Sequence, residues 1–287
     1  MSETSTTDVR PCPACASRSN EWAFVVDGFP HLRCRDCQTL FVSPLPTPEA
    51  VQATYLDPSY HGNVELSEDR MRQEARARAH IVAERGCRRV LEIGCGAGFF
   101  VEALLELGIE AEGVDPGPQA KRAAERGLPI HPIWLEELEP TDLYDGIAMF
   151  ELLEHLPDPM DALDWSRRWT RKGATLAFST PSASGLAARV LGRRFPMLCP
   201  PNHLEVFTRR GVQALLVRSG FEAFRWDSFS NLDAATLQRG FQRFFLGQSK
   251  PARAIAGGLA SMARSPVRLL DRVGLGTSFE VYAERMG

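Results

Sequence analysis

The chain has 287 residues, which is enough for one large α/β domain with a small appendage. Hydrophobic residues make up 44% and charged residues 24% of it, so the composition favours a packed soluble core. The net charge of −3 at pH 7 disfavours nucleic acid as a partner, because proteins that bind a phosphate backbone usually carry a basic excess.

The sequence has no stretch that approaches the roughly 18 consecutive apolar residues of a membrane-spanning helix. We therefore expect no transmembrane segment. Residues 1–10 are polar and lack the apolar region of a secretory signal. Together these observations predict a cytoplasmic location, where cysteines more often bind metals than form disulfides.

Four of the seven cysteines form two Cys-x-x-Cys pairs, namely Cys12, Cys15, Cys34 and Cys37. Each pair lets two thiolates face one ion from a tight turn, and two pairs complete a tetrahedral Zn²⁺ site. With predicted strands at residues 21–26 and 39–42, residues 1–43 have the pattern of a zinc ribbon. Four thiolates leave no open coordination position, so we expect the zinc to be structural. Disulfides and a chance spacing are the alternatives.

A connector at residues 44–85 follows the predicted ribbon and begins with three closely spaced prolines. It carries a predicted short helix at residues 49–56 and a longer helix at residues 67–85. The longer helix is rich in charged residues, which is typical of a solvated helix surface.

A glycine-rich turn lies between a short apolar strand, residues 89–93, and a predicted helix, residues 99–105. The glycines of this turn are Gly94, Gly96 and Gly98. Such a unit brings backbone N–H groups against a nucleotide-like ligand, because no Cβ obstructs the approach. The next predicted strand, residues 109–114, places Asp115 at its tip, where an acid can bind ribose hydroxyls.

A dinucleotide oxidoreductase is the main alternative for this unit. Its fingerprint spaces the last glycine three residues after the second, whereas Gly98 follows Gly96 by two. Phe99 and Phe100 come directly afterwards and provide apolar cover instead of a pyrophosphate pocket. The pattern therefore favours S-adenosylmethionine (SAM) over a nicotinamide dinucleotide.

Five segments together resemble the class I SAM-dependent methyltransferases, in particular the ubiquinone and menaquinone group and its relatives in natural-product biosynthesis. These segments are residues 90–98, 113–117, 144–159, 173–181 and 201–208. The resemblance implies an α/β fold with a Rossmann-like, seven-stranded, mostly parallel sheet and helices on both faces. Residues 86–287 would form this methyltransferase domain.

The resemblance also implies which residues contact SAM. The first motif would contribute Glu92, Gly94, Cys95, Gly96 and Gly98. Asp115 would bind the ribose hydroxyls, and Pro116 would lie beside the adenine. Phe150 and Glu151, at the end of the fourth strand, would lie near the sulfonium.

One departure from the family pattern concerns the adenine. Family members often carry an aspartate after the third strand, and residues 131–135 contain none. Either Trp134 stacks on the adenine or backbone groups bind it. Tyr60, in the connector, is expected to close over the SAM carboxylate from the N-terminal side.

Methyl transfer requires that donor and acceptor be aligned and, for some acceptors, that a base remove a proton. His155 is a candidate base because it follows the fourth strand at the ligand-binding edge of the sheet. His203, in a later family signature, is a second candidate. A structural role is the alternative for each histidine, and an amine of low pKa or a carbon acceptor would need no base.

The C-terminal part begins with a predicted strand at residues 221–226 and ends with another at residues 278–284. In this fold the last two strands normally form a hairpin, so residues 233–275 are predicted to be a helical insertion. We expect this insertion to act as a substrate lid, a dimer surface or a membrane-surface helix. A homodimer is therefore among the expected assemblies.

These observations predict a methyltransferase that transfers a methyl group from SAM to an O or N centre of a small-molecule acceptor, such as a quinone-like or secondary metabolite. An RNA methyltransferase is the first alternative, because zinc ribbons also precede some rRNA enzymes. A SAM-binding protein without catalysis is the second. The acceptor itself is not encoded in any recognisable pattern.

Overall fold

The computed structural model describes residues 9–57, 68–230 and 267–287. Tyr60 and most of the predicted insertion at residues 233–275 lie outside the described residues. The helices, in chain order, are α1 (Pro48–Leu56), α2 (Glu68–Glu84), α3 (Phe99–Glu106), α4 (Pro118–Glu125), α5 (Pro159–Trp169), α6 (Leu186–Leu191) and α7 (Arg209–Ser219). Residues 267–272 are also helical.

The strands, in chain order, are β1 (Asn20–Val26), β2 (Phe29–Cys34), β3 (Leu40–Val42), β4 (Arg89–Ile93), β5 (Glu110–Val114), β6 (Ile130–His131), β7 (Tyr144–Phe150), β8 (Thr170–Pro181), β9 (Glu205–Val206), β10 (Phe221–Phe229) and β11 (Ser278–Arg285).

The larger sheet has seven strands in the order β10-β11-β8-β7-β4-β5-β6. The strands from β4 to β8 pair in parallel, and β11 pairs antiparallel with both β8 and β10. The predicted seven-stranded, mostly parallel sheet is therefore confirmed. Its core strands are buried on both faces, as parallel sheets covered by helices require.

The strand order reverses between β4 and β7, and this reversal positions the site. The chain runs from β4 outwards through β5 to β6 and then returns to β7 on the other side of β4. Loops leaving β4 and β7 therefore diverge and open a crevice at the carboxyl ends of the strands, which is where such sheets bind ligands.

The ribbon sheet has four strands in the order β1-β2-β3-β9. Its fourth strand comes from the C-terminal half of the chain: Leu40 pairs with Val206, and Phe41 pairs with Glu205. The ribbon is thus joined to the larger domain by backbone pairing. A two-residue strand has no periodicity of its own, so β9 could not be predicted from the sequence.

In the described ranges, no helix is both long and apolar enough to cross a lipid bilayer.

Candidate functional site

The glycine-rich turn after β4 forms the first wall of the site. Gly94, Gly96 and Gly98 all have positive φ, at 75°, 48° and 77°. A side chain would be strained at these positions, and a Cβ on Gly98 would lie 2.5 Å from Ile130. Cys95, which the sequence analysis included in this set, directs its thiol into the core, where a Cβ on Gly113 would lie 2.7 Å from its Sγ.

Asp115 lies at the tip of β5, facing the glycine turn, and is 3% exposed. The Gly96 N–H donates to Asp115 Oδ2 at 3.0 Å, and the Gly117 N–H donates to Oδ1 at 2.6 Å. These two backbone donors hold the carboxylate in one orientation. A buried, oriented carboxylate beside a glycine turn is suited to accept hydrogen bonds from a vicinal diol.

A third donor to Asp115 comes from α1. The Tyr55 hydroxyl donates to Asp115 Oδ2 at 2.9 Å, and its ring centroid lies 6.4 Å from that of Trp134. The sequence analysis selected Tyr60 as the residue that closes over the site from this side; Tyr60 is outside the described residues. Tyr55 was missed, because nothing local indicates that α1 folds over the tip of β5.

The end of β7 carries backbone strain. Glu151 has φ of 51°, a region that non-glycine residues rarely adopt and that is often found at functional sites. Its backbone N–H donates to Ser179 Oγ at 3.1 Å, and that hydroxyl donates to Glu151 Oε1 at 2.7 Å. Ser179, in β8, thereby fixes the Glu151 side chain beside the crevice.

Arg78, in α2, brings a positive charge to this end of the crevice. Its guanidinium lies 4.1 Å from the centroid of the Phe150 ring, and its Nε donates to Glu280 at 2.7 Å. Burial raises the pKa of Glu92 well above its usual range, and the positive charge of Arg78 opposes that rise. Burial also raises the pKa of Glu151, again against the field of Arg78. The sequence analysis missed Arg78, which looked like one charge on a solvated helix.

A cavity of about 830 Å³ opens at the crevice. Four of the residues predicted to bind the donor or to act as a base line it, namely Gly94, Pro116, Trp134 and His155, as does the predicted zinc ligand Cys12. The other described members of the predicted set are not among its lining residues: Glu92, Cys95, Gly96, Gly98, Asp115, Phe150, Glu151 and His203. Apolar side chains such as Leu152, Leu156 and Trp165 form much of its wall. Residues of α1 and of the ribbon line another part of its wall.

The two predicted histidines lie together next to a buried carboxylate. Their ring centroids are 4.8 Å apart, and one ligand atom from each of Glu154, His155 and His203 lies within 4.8 Å of the others. His155 Nδ1 lies 2.8 Å from the Asn202 carbonyl oxygen, and His203 Nδ1 lies 2.7 Å from that of Met197. These carbonyls favour the tautomers with a proton on Nδ1, which leaves each Nε2 as a base or ligand atom.

Glu154 was missed by the sequence analysis. Its side chain is fully buried, and within the described part of the chain neither carboxylate oxygen has a hydrogen-bond partner. A carboxylate in that position requires a proton or a cation, and burial raises the pKa of Glu154 well above its usual range. The donor set of one carboxylate and two imidazoles is also one that suits a divalent cation.

The four ribbon cysteines form a separate cluster. The Sγ atoms of Cys12 and Cys37 are 3.5 Å apart, as are those of Cys15 and Cys34. That distance is far from a disulfide bond of about 2.05 Å and near the ~3.8 Å edge of a tetrahedron with Zn–S bonds of about 2.3 Å. The geometry of these residues therefore fits a structural zinc ion.

We expect one zinc ion per chain and the loss of that ion when Cys37 is replaced by serine, because three thiolates no longer complete the tetrahedron. The metal content can be measured by plasma mass spectrometry and the stability by thermal melting. The Cys199→Ser variant removes an isolated cysteine and should keep the zinc. Equal zinc content in the two variants would contradict the assignment.

Comparison with known proteins gives one family match, to a methyltransferase domain over residues 56–224. A ubiquinone biosynthesis O-methyltransferase of Alkalilimnicola ehrlichii is 33% identical over 102 residues, which cover 32% of this chain and 41% of that protein. A tRNA U34 carboxymethyltransferase of Shewanella piezotolerans is 34% identical over 103 residues, 32% of this chain and 31% of that one. The chain thus spans less than half the length of these curated relatives.

Among solved structures, the chain is similar to the 1,6-didemethyltoxoflavin-N1-methyltransferase of Burkholderia thailandensis, which was crystallised with its substrate and S-adenosylhomocysteine (SAH). The TM-score is 0.53 at 16% identity, and the match covers 93% of this chain and 100% of that one. At this level of identity, the similarity concerns the fold.

Proposed function

This chain belongs to the methyltransferase domain family, and we propose that, as a SAM-dependent methyltransferase, it methylates an oxygen or nitrogen of a small-molecule acceptor. One observation carries the proposal: a single cavity of about 830 Å³ is bordered by Gly94 and Trp134 at one part and by His155 at another. A cavity of this size and largely apolar lining is typical of small-molecule sites.

The donor would occupy the crevice between β4 and β7. Asp115 would accept both ribose hydroxyls, with Trp134 and Pro116 against the adenine. Arg78 would supply a partly buried cation near the methionine carboxylate, and the strained Glu151 would face the amino group or the sulfonium. When bound, SAM supplies an activated methyl group; the protein residues hold it in line with the acceptor.

His155 is better suited than His203 to accept a proton from the acceptor. His155 lines the cavity, whereas His203 does not. Burial lowers the pKa of His203 to about 4, so that ring is a weak base near neutral pH. We therefore assign the proton transfer to Nε2 of His155 and a positioning role to His203, whose ring packs edge-on against it.

An RNA acceptor is the alternative that one relative's name raises. Residues of α1 and of the ribbon line the cavity, and this favours a small molecule, because a base within a polynucleotide would have to be flipped out to reach between them. The acidic charge balance points the same way.

We expect His155→Gln to lower kcat by about 10²–10⁴-fold for an acceptor that must lose a proton, with SAH affinity unchanged. The measurement is transfer of a labelled methyl group from SAM to a panel of phenols, catechols, amines and RNA, with SAH titrated by calorimetry. His80→Gln removes an exposed histidine from α2 and serves as the control. Methylation of RNA but of no small molecule would overturn the proposal.

A further inference from the structure

A second groove, of about 610 Å³, lies where the ribbon meets the larger domain, and its lining includes four arginines. We call it the arginine groove, after Arg33 from β2, Arg189 from α6, and Arg209 and Arg210 from the start of α7. Four formal positive charges converge here in a chain whose net charge is −3. The first cavity and this groove share none of their lining residues.

Among the described residues, these four guanidinium groups have no acidic partner. In the described ranges none of them forms an ion pair, whereas other arginines, such as Arg72 and Arg89, each pair with two carboxylates. A zinc ion with four thiolates has a formal charge of about −2, and its ligand Cys37 borders the groove. That charge offsets at most half of the four cations, so the groove keeps a positive excess.

Two of these arginines lie at the start of α7, where the helix itself adds to the positive electrostatic potential of the groove. Arg209 and Arg210 occupy the first turn of an 11-residue helix whose first turn contains no acid. The N-terminus of a helix is its positive end, so cations there are repelled and anions are attracted. The sequence thus places charge where it destabilises the empty protein, as is common where a site is adapted to bind a ligand of opposite charge.

The floor of the groove is rigid. The Thr208 hydroxyl donates to the Cys37 carbonyl and accepts from the Gly211 N–H at 2.9 Å, which ties the ribbon to the start of α7. Gly211 packs so closely that a Cβ would lie 2.2 Å from Thr39 Oγ1. Arg209 lies 4.9 Å from the centroid of the Trp226 ring, which limits its movement. The floor of the groove is therefore preformed, and Arg189, Arg209 and Arg210 are exposed around it.

The groove also lies near the end of β8. Its wall includes Ser184, five residues beyond Ser179, whose hydroxyl holds Glu151 at the crevice.

We propose that the arginine groove binds the diphosphate group of a small molecule. Four guanidinium groups can each donate two hydrogen bonds, which matches the oxygens of two linked phosphates. A polynucleotide would require a basic track that continues beyond the groove, so binding of single-stranded RNA is one outcome of the test below. This inference is independent of the acceptor proposed above.

The test uses inorganic pyrophosphate as the probe and the full chain loaded with zinc. The variant Arg189→Gln/Arg210→Gln removes two of the charges and spares Arg209, which contacts Trp226. We expect pyrophosphate affinity, measured by calorimetry at about 0.15 M salt, to fall by about tenfold for each arginine removed. Pyrophosphate should raise the melting temperature of the wild type and not that of the variant.

The matched control is Lys121→Gln/Arg122→Gln, which removes the same charge from the exposed surface of α4. It should bind pyrophosphate as the wild type does. Without pyrophosphate, the groove variant should melt at the same temperature as the wild type or higher, because the unfavourable charge near α7 is reduced. Three results would overturn the proposal: no binding by the wild type at millimolar pyrophosphate, equal losses in both variants, or tight binding of single-stranded RNA without binding of pyrophosphate.

Discussion

Replacing Asp115 by alanine is expected to weaken SAH binding by about 10²–10⁴-fold. The variant loses two hydrogen bonds from the ribose hydroxyls to a carboxylate, each of which contributes about 1.5–3 kcal/mol at a charged acceptor. It also frees the Gly96 and Gly117 N–H groups that now donate to this carboxylate. Calorimetric titration with SAH measures the effect, and Asp142→Ala, at a carboxylate on the exposed surface, is the control. An affinity within a factor of about two of the wild type would contradict the placement of the ribose.

The same SAH titration can be carried out on a variant of Tyr55. Its hydroxyl occupies Asp115 Oδ2, an oxygen that the ribose is expected to use. If donor binding displaces that hydroxyl, Tyr55→Phe removes a competitor, and SAH should bind as tightly as to the wild type or more tightly. Weaker binding to Tyr55→Phe would instead make Tyr55 part of the donor site. The paired variants therefore distinguish a residue that holds the donor from one that occupies its place.

The parts of the site that could be predicted are those encoded locally. β4, the glycine turn, α3 and the strand that ends at Asp115 follow one another within residues 89–115, so hydrophobic pattern and turn chemistry indicate them directly. The seven-stranded, mostly parallel sheet was expected from the family resemblance. His155 and His203 could be selected because both follow recognisable family segments, although their contact with each other could not.

What could not be predicted depends on contacts between distant segments. Tyr55 reaches Asp115 across 60 positions, and Arg78 reaches Glu280 across 202. Arg78 belongs to a helix whose charged surface looked solvated. Glu154 was missed because nothing in the sequence shows that this glutamate is buried. β9 is only two residues long and depends entirely on its partner β3.

The docking of the ribbon leads to the largest expected change in stability. Arg10 donates to the carbonyl oxygens of Val42 and Pro157, at 2.9 and 2.8 Å, and to Glu205 Oε1 at 2.6 Å. It therefore connects the ribbon, the loop after β7 and β9. The Glu205 side chain is fully buried. Among the ion pairs of the described residues, Arg10 is its only counter-charge.

Arg10→Ala is expected to lower the free energy of unfolding at pH 9 by about 1.4 kcal/mol more than at pH 6, because Glu205 loses its counter-charge and must then stay protonated at a pH about one unit above its wild-type pKa. Burial raises the pKa of Glu205 to about 8 even though Arg10 opposes the rise. A pKa above the unfolded value means that the folded state binds more protons, so this group's contribution to stability falls as the pH rises from about 4.5 towards 8. Without Arg10 the pKa rises further and the loss extends to higher pH. The cost of Arg10→Ala should therefore be smaller at pH 6, where Glu205 is protonated with or without Arg10.

Urea unfolding at pH 6 and pH 9 measures both effects, and Glu205→Gln provides the matched partner. Glutamine has the shape of glutamate without its charge, so the double variant Arg10→Ala/Glu205→Gln should recover the additional loss at pH 9 and little at pH 6. A coupling free energy of about 0.5–3 kcal/mol at pH 9 is the expected size for residues in direct contact. Equal costs of Arg10→Ala at the two pH values, with no recovery in the double variant, would mean that Arg10 acts through its carbonyl contacts alone. The pH dependence thus separates the buried charge pair from the hydrogen bonds that Arg10 makes to the backbone.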